Sequence, residues 1–347
     1  MSRFYLSSGY FDFDAAMQLG RPFTIVIGGR GSGKTYGALD WCISHKVKFA
    51  FMRRTQRQLD IINKPEFSPL KPITRNTGQL FTTRPLASGL AAFYEAELDE
   101  DGNTVISWPE PVGITLALST VSNLRGFDAS DIDVLLFDEF IPEKSERPLK
   151  HEEDALFNAY ETMNRNRELD GRPPLRLVMM ANANDQASPV LVKLGLVQRL
   201  DRMAAKGTEL WQDPERGLAV ILLSESPISD AKEETALYRL TAGTEFAGMA
   251  LDNSFSYEDR GNISTRPLDE FRPVCGIGGV TIYKHKSKRE FYVSEHRRGS
   301  PPVYGTGDTE LARWREAYGW LWRELMDDRI VFETFAAQVV FRQYLGA

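Results

Sequence analysis

The segment that most constrains this chain lies near its N-terminus. It reads Gly28-Gly29-Arg30-Gly31-Ser32-Gly33-Lys34-Thr35 and fits the pattern G-x-x-x-x-G-K-[ST]. The apolar run before it, 23–27, predicts a strand, and apolar residues at helical spacing in 36–44 predict a helix. Glycines let successive backbone N–H groups surround phosphate oxygens, which a helix N-terminus also attracts. The segment is a predicted phosphate-binding loop, in which Lys34 reaches the β- and γ-phosphates and the Thr35 hydroxyl binds Mg²⁺.

A pair of acidic residues follows a second apolar run. Asp138 and Glu139 come directly after 133–137, which predicts a buried strand. The carboxyl ends of parallel strands share one edge of a sheet, so the Asp138 carboxylate is expected beside the phosphate loop, holding the Mg²⁺ shell. Glu139 is the candidate general base for an attacking water, which favours hydrolysis. The alternative is that the pair only opens a solvated loop.

Strand-like and helix-like patterns alternate over the first two thirds of the chain. This alternation predicts an α/β fold with a mostly parallel sheet covered on both faces. The expected elements include a hairpin with the acidic turn 99–103, a helix over 154–167, and further strands at 48–52, 175–181 and 218–223.

A change of composition after residue 224 suggests a domain boundary, because 224–262 is richer in Ser, Glu and Asp. We predict a P-loop ATPase domain over 1–224, a linker over 225–261 and a smaller α+β C-terminal domain over 262–347. In the last of these, strands are expected near 274–283 and 289–294 and helix over 309–344, with three tryptophans expected in the core: Trp314, Trp320 and Trp322.

Composition excludes several other classes of protein. The chain has 347 residues and a formal net charge of −6, which disfavours a protein that coats nucleic acid nonspecifically. Two cysteines, Cys42 and Cys275, are too few for a disulfide framework or a zinc site and predict a reducing compartment. No apolar stretch approaches the roughly 18 to 20 residues of a membrane helix, and no secretory signal is expected.

Two polar residues are candidates with open alternatives. Arg165 closes the predicted helix, from where an arginine can reach the γ-phosphate of a neighbouring subunit; a cation solvated at a helix C-terminus is the alternative. Asn182 follows a predicted strand and could orient the lytic water or sense the γ-phosphate, or simply form a turn.

Two basic segments fit either a nucleic-acid contact or an ordinary charged surface. The first, which could also face a neighbour's nucleotide, contains Lys46, Lys48, Arg53, Arg54 and Arg57. The second, interleaved with aromatic residues, contains Lys284, Lys286, Lys288, Arg289, Arg297 and Arg298.

Together these residues resemble the DNA-packaging motor ATPases of phi29-like tailed phages, which are additional-strand P-loop ATPases and small relatives of the large terminase subunit. The resemblance covers residues 20–260 in pieces and is faint beyond. Its blocks, in chain order, are 25–35, Phe51-Met52-Arg53-Arg54, Phe137-Asp138-Glu139-Phe140-Ile141, Arg165-Asn166-Arg167-Glu168, Asn182-Ala183, Gly243-Thr244-Glu245-Phe246-Ala247-Gly248-Met249 and Leu251-Asp252-Asn253.

The resemblance implies a ring of identical subunits, expected to be a pentamer, that works in the host cytoplasm without a membrane. The ring docks at the portal of a viral procapsid and translocates double-stranded DNA with ATP and Mg²⁺ as cofactors. A structural packaging RNA is a further partner that the resemblance leaves open.

The resemblance also implies residue roles. Lys34 and Thr35 hold phosphate and Mg²⁺, Asp138 is the magnesium carboxylate, and Glu139 is the catalytic glutamate. Arg165 matches the trans-acting arginine finger, with Arg167 as second choice, and Asn182 matches the motif that couples hydrolysis to motion. The C-terminal domain resembles a degenerate RNase H-like nuclease, and its first expected strand, 274–282, carries no carboxylate for a metal, so no cleavage is expected.

Two other functions remain alternatives at this point. One is a different additional-strand P-loop ATPase acting on DNA, such as a helicase or a conjugative pump. The other is a nucleotide-gated assembly protein with vestigial hydrolysis.

Overall fold

The computed structural model describes residues 3–124, 128–143, 146, 149–183, 188–223, 227–244 and 262–346. These residues form two compact units. The first contains the described residues of 3–183 and 203–244, and the second contains those of 188–202 and 262–346.

A sheet of ten strands organises the first unit. The strands are β1 (Phe23–Gly28), β2 (Phe49–Arg53), β3 (Leu80–Ala87), β4 (Leu90–Leu98), β5 (Thr104–Ile106), β6 (Gly113–Ala117), β7 (Val134–Asp138), β8 (Arg176–Asn182), β9 (Leu210–Asp213) and β10 (Leu218–Leu223). Their order is β3-β4-β6-β2-β7-β8-β1-β10-β9, with β5 paired to β4.

The six central strands, from β6 to β10 in that order, run parallel, and antiparallel strands extend the sheet at both edges. The predicted α/β fold with a mostly parallel sheet is therefore confirmed. The expected hairpin around the acidic turn is also present, because β4 and β5 pair antiparallel. Sequence patterning missed β3, which carries Pro85 and is exposed over its second half, so it lacks the apolar signal of a buried strand.

Helices connect these strands and continue through the second unit. Their bounds are α1 (Phe13–Met17), α2 (Lys34–Ser44), α3 (Gln56–Ile62), α4 (Lys71–Thr77), α5 (Glu152–Asn164), α6 (Pro189–Lys193), α7 (Val197–Lys206), α8 (Pro227–Glu233), α9 (Ala236–Leu240), α10 (Asp308–Tyr318), α11 (Leu321–Met326) and α12 (Phe335–Leu345). Short 3-10 turns span Pro65–Phe67, Leu118–Leu124 and Leu268–Glu270. Among the described residues, no helix is both long enough and apolar enough to cross a bilayer.

The strand register brings the predicted polar residues to one edge of the sheet. Gly28 at the end of β1 pairs with Asn182 at the end of β8. On the other side of β8, Asp138 at the end of β7 pairs with Met180. The next strand is β2, which ends at Arg53. Four consecutive strands thus end beside one another with polar or phosphate-loop residues.

The second unit contains a five-stranded sheet of order β14-β11-β12-β13-β15. These strands are β11 (Phe271–Ile277), β12 (Val280–His285), β13 (Phe291–Ser294), β14 (Val303–Tyr304) and β15 (Ile330–Phe332). The meander β11-β12-β13 is antiparallel, and the two outer strands add parallel to it.

Three expectations for this unit are wrong in detail. The single strand expected at 274–283 is a hairpin, because Gly278 and Gly279 adopt positive φ angles and form a two-residue turn between β11 and β12. The helical region expected over 309–344 is broken by β15. Of the three closing tryptophans only Trp314 is in the core, whereas Trp320 and Trp322 are 46% and 43% exposed.

The basic segment 46–57 does not form one charged surface. Lys48 pairs with Glu110 and Asp131, and the side chain of Arg54 is only 1% exposed. The Arg54 guanidinium donates to Glu152 through Nε at 2.6 Å and Nη2 at 3.0 Å, and Nη1 donates to Glu146. A single solvated helix face is therefore wrong for this segment, since it contains the buried strand β2. A contact of its exposed residues with nucleic acid or with a neighbour's nucleotide stays a prediction.

Arg54→Ala is expected to destabilise the first unit by about 3–5 kcal/mol, because it leaves the fully buried Glu152 carboxylate without its cation. Urea denaturation measures this loss. Arg57→Ala removes an exposed arginine three positions on and should change stability by at most about 0.5 kcal/mol. An Arg54→Ala loss no larger than that of Arg57→Ala would contradict the buried pair.

Candidate nucleotide-binding site

The glycine-rich segment 28–35 forms a loop between β1 and α2, as predicted. Gly33 caps the helix with a φ of 88°, a left-handed conformation that favours glycine. A Cβ there would lie 3.0 Å from Cδ1 of Tyr10, a tight contact, so space as well as conformation favours glycine. The loop thus presents backbone groups rather than side chains at the start of α2.

Lys34, the first residue of α2, is buried beneath the loop. Its ammonium group donates to the carbonyls of Gly28 at 3.1 Å and Gly29 at 2.8 Å, and to Ser32 Oγ at 3.2 Å. The pKa of Lys34 is lowered to about 8, because burial penalises the charged form; the Asp138 carboxylate opposes this effect and the Lys232 ammonium adds to it. A buried ammonium group among neutral acceptors is suited to bind an anion.

Thr35 and Asp138 meet at the foot of the loop. The Thr35 hydroxyl donates to Asp138 Oδ2 over 3.0 Å, and Asp138 is 3% exposed. Burial raises the pKa of Asp138, whereas the nearby Arg53 guanidinium lowers it. A hydroxyl and a carboxylate oxygen side by side are hard oxygen ligands of the kind that Mg²⁺ prefers, so these two residues fit the predicted metal site.

Glu139 follows Asp138 at the end of β7 and adopts a φ of 55°, which is rare for a residue with a side chain. Its carboxylate is half-exposed and lies 2.5 Å from Nη1 of Arg53. Arg53 Nη2 is also 3.6 Å from Asp138 Oδ2. The sequence analysis grouped Arg53 with the basic segment and did not predict this contact. The position of Arg53 at the end of β2, the strand that pairs with β7, could have indicated it.

Asn182 contacts the phosphate loop directly. Its Oδ1 accepts from Lys34 Nζ at 3.3 Å, which the pairing of β1 with β8 makes possible. Asn182 is the last residue of β8 and its side chain lies against the phosphate loop, whereas its role towards the lytic water or the γ-phosphate stays a prediction.

Arg30 pairs with an acidic residue outside the loop. Its guanidinium lies 2.5 Å from Glu143, and both side chains are about half-exposed. Lys232 on α8 donates to the Arg30 carbonyl and so braces the loop. Neither Glu143 nor Lys232 was expected from the sequence, and no local pattern marks them.

A cavity of about 390 Å³ connects these groups. It is lined by the loop residues Arg30, Gly31, Ser32, Gly33, Lys34 and Thr35, by Tyr36, by Asp138, Glu139 and Glu143, and by Ala181 and Asn182. The structure thus brings together, from two strand ends and one loop, nearly all of the predicted phosphate, metal and base residues.

The two candidate arginines differ in their surroundings. Helix α5 ends at Asn164, before the predicted end at Arg167, and Arg165 follows it with a φ of 47° and a side chain that is 46% exposed. Arg165 Nη1 lies 3.8 Å from Asp128 Oδ1. Arg167 is 3% exposed, and its guanidinium donates to the carbonyls of Ser130 and Ile132, so it does not project from the surface. Most of the 243–253 blocks lie outside the described residues.

A strand, a phosphate loop and a helix at the edge of a parallel sheet, with a carboxylate at the end of a neighbouring strand, define a P-loop nucleotide-binding fold. Within this class, residues 87–294 match the family described as podovirus DNA encapsidation protein (Gp16). The chain belongs to this family, which confirms the resemblance to phi29-like packaging proteins.

Individual relatives agree with this assignment. The DNA packaging protein of Bacillus phage phi29 is 28% identical over 255 residues, which cover 72% of this chain and 67% of that protein. The DNA packaging protein of Bacillus phage B103 is 25% identical over 240 residues, which cover 68% of this chain and 64% of that protein.

Solved structures show the same fold along nearly the whole chain. The structure titled as the Phi-28 gp11 DNA packaging motor superimposes with a TM-score of 0.66 at 16% identity, covering 98% of this chain and 99% of that one. A chain of the bacteriophage Phi-29 viral genome packaging motor assembly superimposes with a TM-score of 0.62 at 19% identity. The superposition covers 96% of each chain.

Proposed function

We propose that this protein is an ATP-driven motor that translocates double-stranded viral DNA into a procapsid. It works as a homo-oligomeric ring in the host cytoplasm, docked at the portal, and hydrolyses ATP at the interfaces between subunits. The observation that carries this proposal is the contact of Thr35 with Asp138 beneath an intact phosphate loop, in a chain of the DNA encapsidation family. The relatives described as DNA packaging proteins support the same activity.

Each residue of the site has a role in the proposed reaction. Lys34 and the loop N–H groups bind the phosphates, and Thr35 and Asp138 would hold Mg²⁺, which neutralises phosphate charge when bound. Glu139 accepts a proton from the attacking water through its carboxylate oxygen. The contact of Asn182 with Lys34 supports a role in relaying phosphate occupancy to β8.

The second unit is proposed to be a degenerate RNase H-like nuclease. Its antiparallel meander flanked by parallel strands and helices is compatible with such a fold. Neither β11 nor β12, which together span the expected first strand, carries an Asp or Glu. A nuclease of this kind binds its metal through carboxylates, so we propose that this unit does not cut DNA.

The test is ATP turnover measured with and without double-stranded DNA and purified procapsids, together with protection of packaged DNA from added nuclease. We expect DNA-dependent turnover and packaging by the wild-type protein. Lys34→Ala should abolish both and weaken ATP binding by about 10- to 100-fold, because it removes a charged hydrogen-bond donor from the phosphates. Lys64→Ala, which removes an exposed lysine, is the matched control.

Different failures have different meanings. Turnover with duplex DNA but no packaging would favour a helicase or a conjugative pump. Binding of ATP without DNA-dependent turnover would favour a nucleotide-gated assembly protein. Metal-dependent cutting of the DNA in these reactions would contradict the degenerate nuclease.

A further inference from the structure

The turn between β12 and β13 carries a concentration of positive charge. We call residues 284–289, together with Arg272 on β11, the basic hairpin. Four of the six residues 284–289 are cationic, namely Lys284 at the end of β12 and Lys286, Lys288 and Arg289 in the turn, and all four are exposed. The chain as a whole has a net charge of −6, so the positive charge of this surface is opposite in sign to that of the whole chain. Charged surfaces that serve only solubility usually intersperse both signs.

Most of these cations lack an acidic partner. Arg289 is bound by Glu324, which is 6% exposed, so its charge is neutralised. Lys286 donates to the backbone carbonyl of Asp269. Lys284, Lys288 and Arg272 form no ion pair with any carboxylate of the described residues.

Two of the cations lie directly opposite each other. In the β11–β12 ladder Arg272 pairs in register with Lys284, and both are exposed. Side chains of directly opposite residues point to the same face of a sheet, about 5 Å apart at Cβ, and like charges there destabilise the pair. An anion bound at this face would remove that repulsion.

The hairpin also borders a groove. A cavity of about 490 Å³ is lined by the hairpin residues 284–289, by Phe291 and Glu324, and by Trp320. The Trp320 ring packs edge-on against Phe291, with centroids 5.3 Å apart, and is half-exposed. The groove is therefore bordered by exposed lysines and by one exposed aromatic ring, which suits an anionic ligand.

We propose that the basic hairpin binds the phosphate backbone of double-stranded DNA. This inference rests on the proposed function, which supplies the duplex as substrate. Lysines contact phosphates as point charges without reading bases, as a protein that moves along any sequence requires. Single-stranded nucleic acid is bound by successive stacked aromatic rings, whereas this groove has one exposed ring, so the duplex is favoured over single strands and RNA loops.

The test compares two triple variants of the full chain that lose equal charge. Lys284→Gln/Lys286→Gln/Lys288→Gln changes the hairpin, and Lys64→Gln/Lys71→Gln/Lys206→Gln changes exposed lysines of the first unit. Binding to a fluorescent DNA duplex is measured by anisotropy over a range of salt concentrations. For the hairpin variant, the slope of log K against log salt should become shallower by up to ~2.7, and affinity near 0.1 M salt should fall on the order of 10²-fold.

The control variant should keep the wild-type slope, and both variants should keep wild-type ATP affinity. An equal loss in both variants, or an unchanged slope in the hairpin variant, overturns the proposed surface while leaving the motor in place. The same titration is made with a fluorescent RNA stem-loop. If the hairpin variant loses affinity for this RNA and not for the DNA duplex, the surface binds RNA and the duplex proposal is wrong. Absence of duplex binding by the wild-type chain would overturn the surface and count against the motor as well.

Discussion

Arg165→Ala subunits are expected to lose roughly 10³-fold or more of ATP turnover while keeping most of their ATP affinity, as an arginine finger supplied by a neighbouring subunit requires. Near the pocket, the side chains of Arg30 and Arg53 are paired with Glu143 and Glu139 of the same chain. We therefore expect the arginine for the γ-phosphate to come from a neighbouring subunit. Arg165 follows the end of α5 and is about half-exposed, a position suited to project from a subunit edge.

Mixing two inactive proteins tests whether this arginine acts between subunits. Arg165→Ala subunits retain an intact phosphate loop, and Lys34→Ala subunits retain Arg165. Rings that contain both should regain turnover, since some interfaces then combine an intact loop with an intact arginine. Steady-state ATPase assays over a series of mixing ratios measure this, with ATP titrations of each protein alone.

Full turnover by Arg165→Ala, or no recovery in rings shown to be mixed, would place the finger elsewhere. Arg167, the second choice, is a poor replacement because its guanidinium is buried against the carbonyls of Ser130 and Ile132. Arg167→Ala is the next variant to test, and a loss of stability is its expected main effect.

Glu139→Gln is expected to lower turnover by about 10²- to 10⁴-fold and to leave ATP binding intact. The amide keeps the size of the side chain but cannot accept a proton from water. Single-turnover hydrolysis and ATP titration separate the two effects. The proposed role of the preceding residue differs, because Asp138 would hold Mg²⁺ with Thr35 rather than act as a base.

Glu143→Gln is the matched control for this prediction. Glu143 borders the same cavity but pairs with Arg30 on its half-exposed rim, so its loss should change turnover only several-fold. Wild-type turnover in Glu139→Gln would remove this residue from the mechanism.

Local sequence was sufficient where one short pattern contains all the information. The loop 28–35 needs glycines for its conformation and has its lysine and threonine within the same segment, so strand, loop and helix were predictable together. Asp138 and Asn182 were predictable because each ends an apolar strand, and parallel strands end at one edge.

Other features depend on partners distant in sequence. The charges of Arg53 and Arg54 look alike along the chain, yet Arg53 contacts Glu139 while Arg54 is buried against Glu152, which lies 98 positions away. Lys232 reaches the phosphate loop over 202 positions. Contacts between residues so far apart in the sequence produce no periodic or local pattern from which they could be predicted.

The sequence by itself determined the class of fold, the phosphate loop and the acidic strand end, because these depend on backbone conformation and on the alternation of apolar and polar residues. Only the tertiary structure decided which charges serve the site and which hold the fold together. It buried Arg54, paired Arg53 with Glu139 and left Lys284 opposite Arg272. The physical reason is that the energy of a charged side chain is set by burial and by the nearest opposite charge, and both are properties of the folded chain.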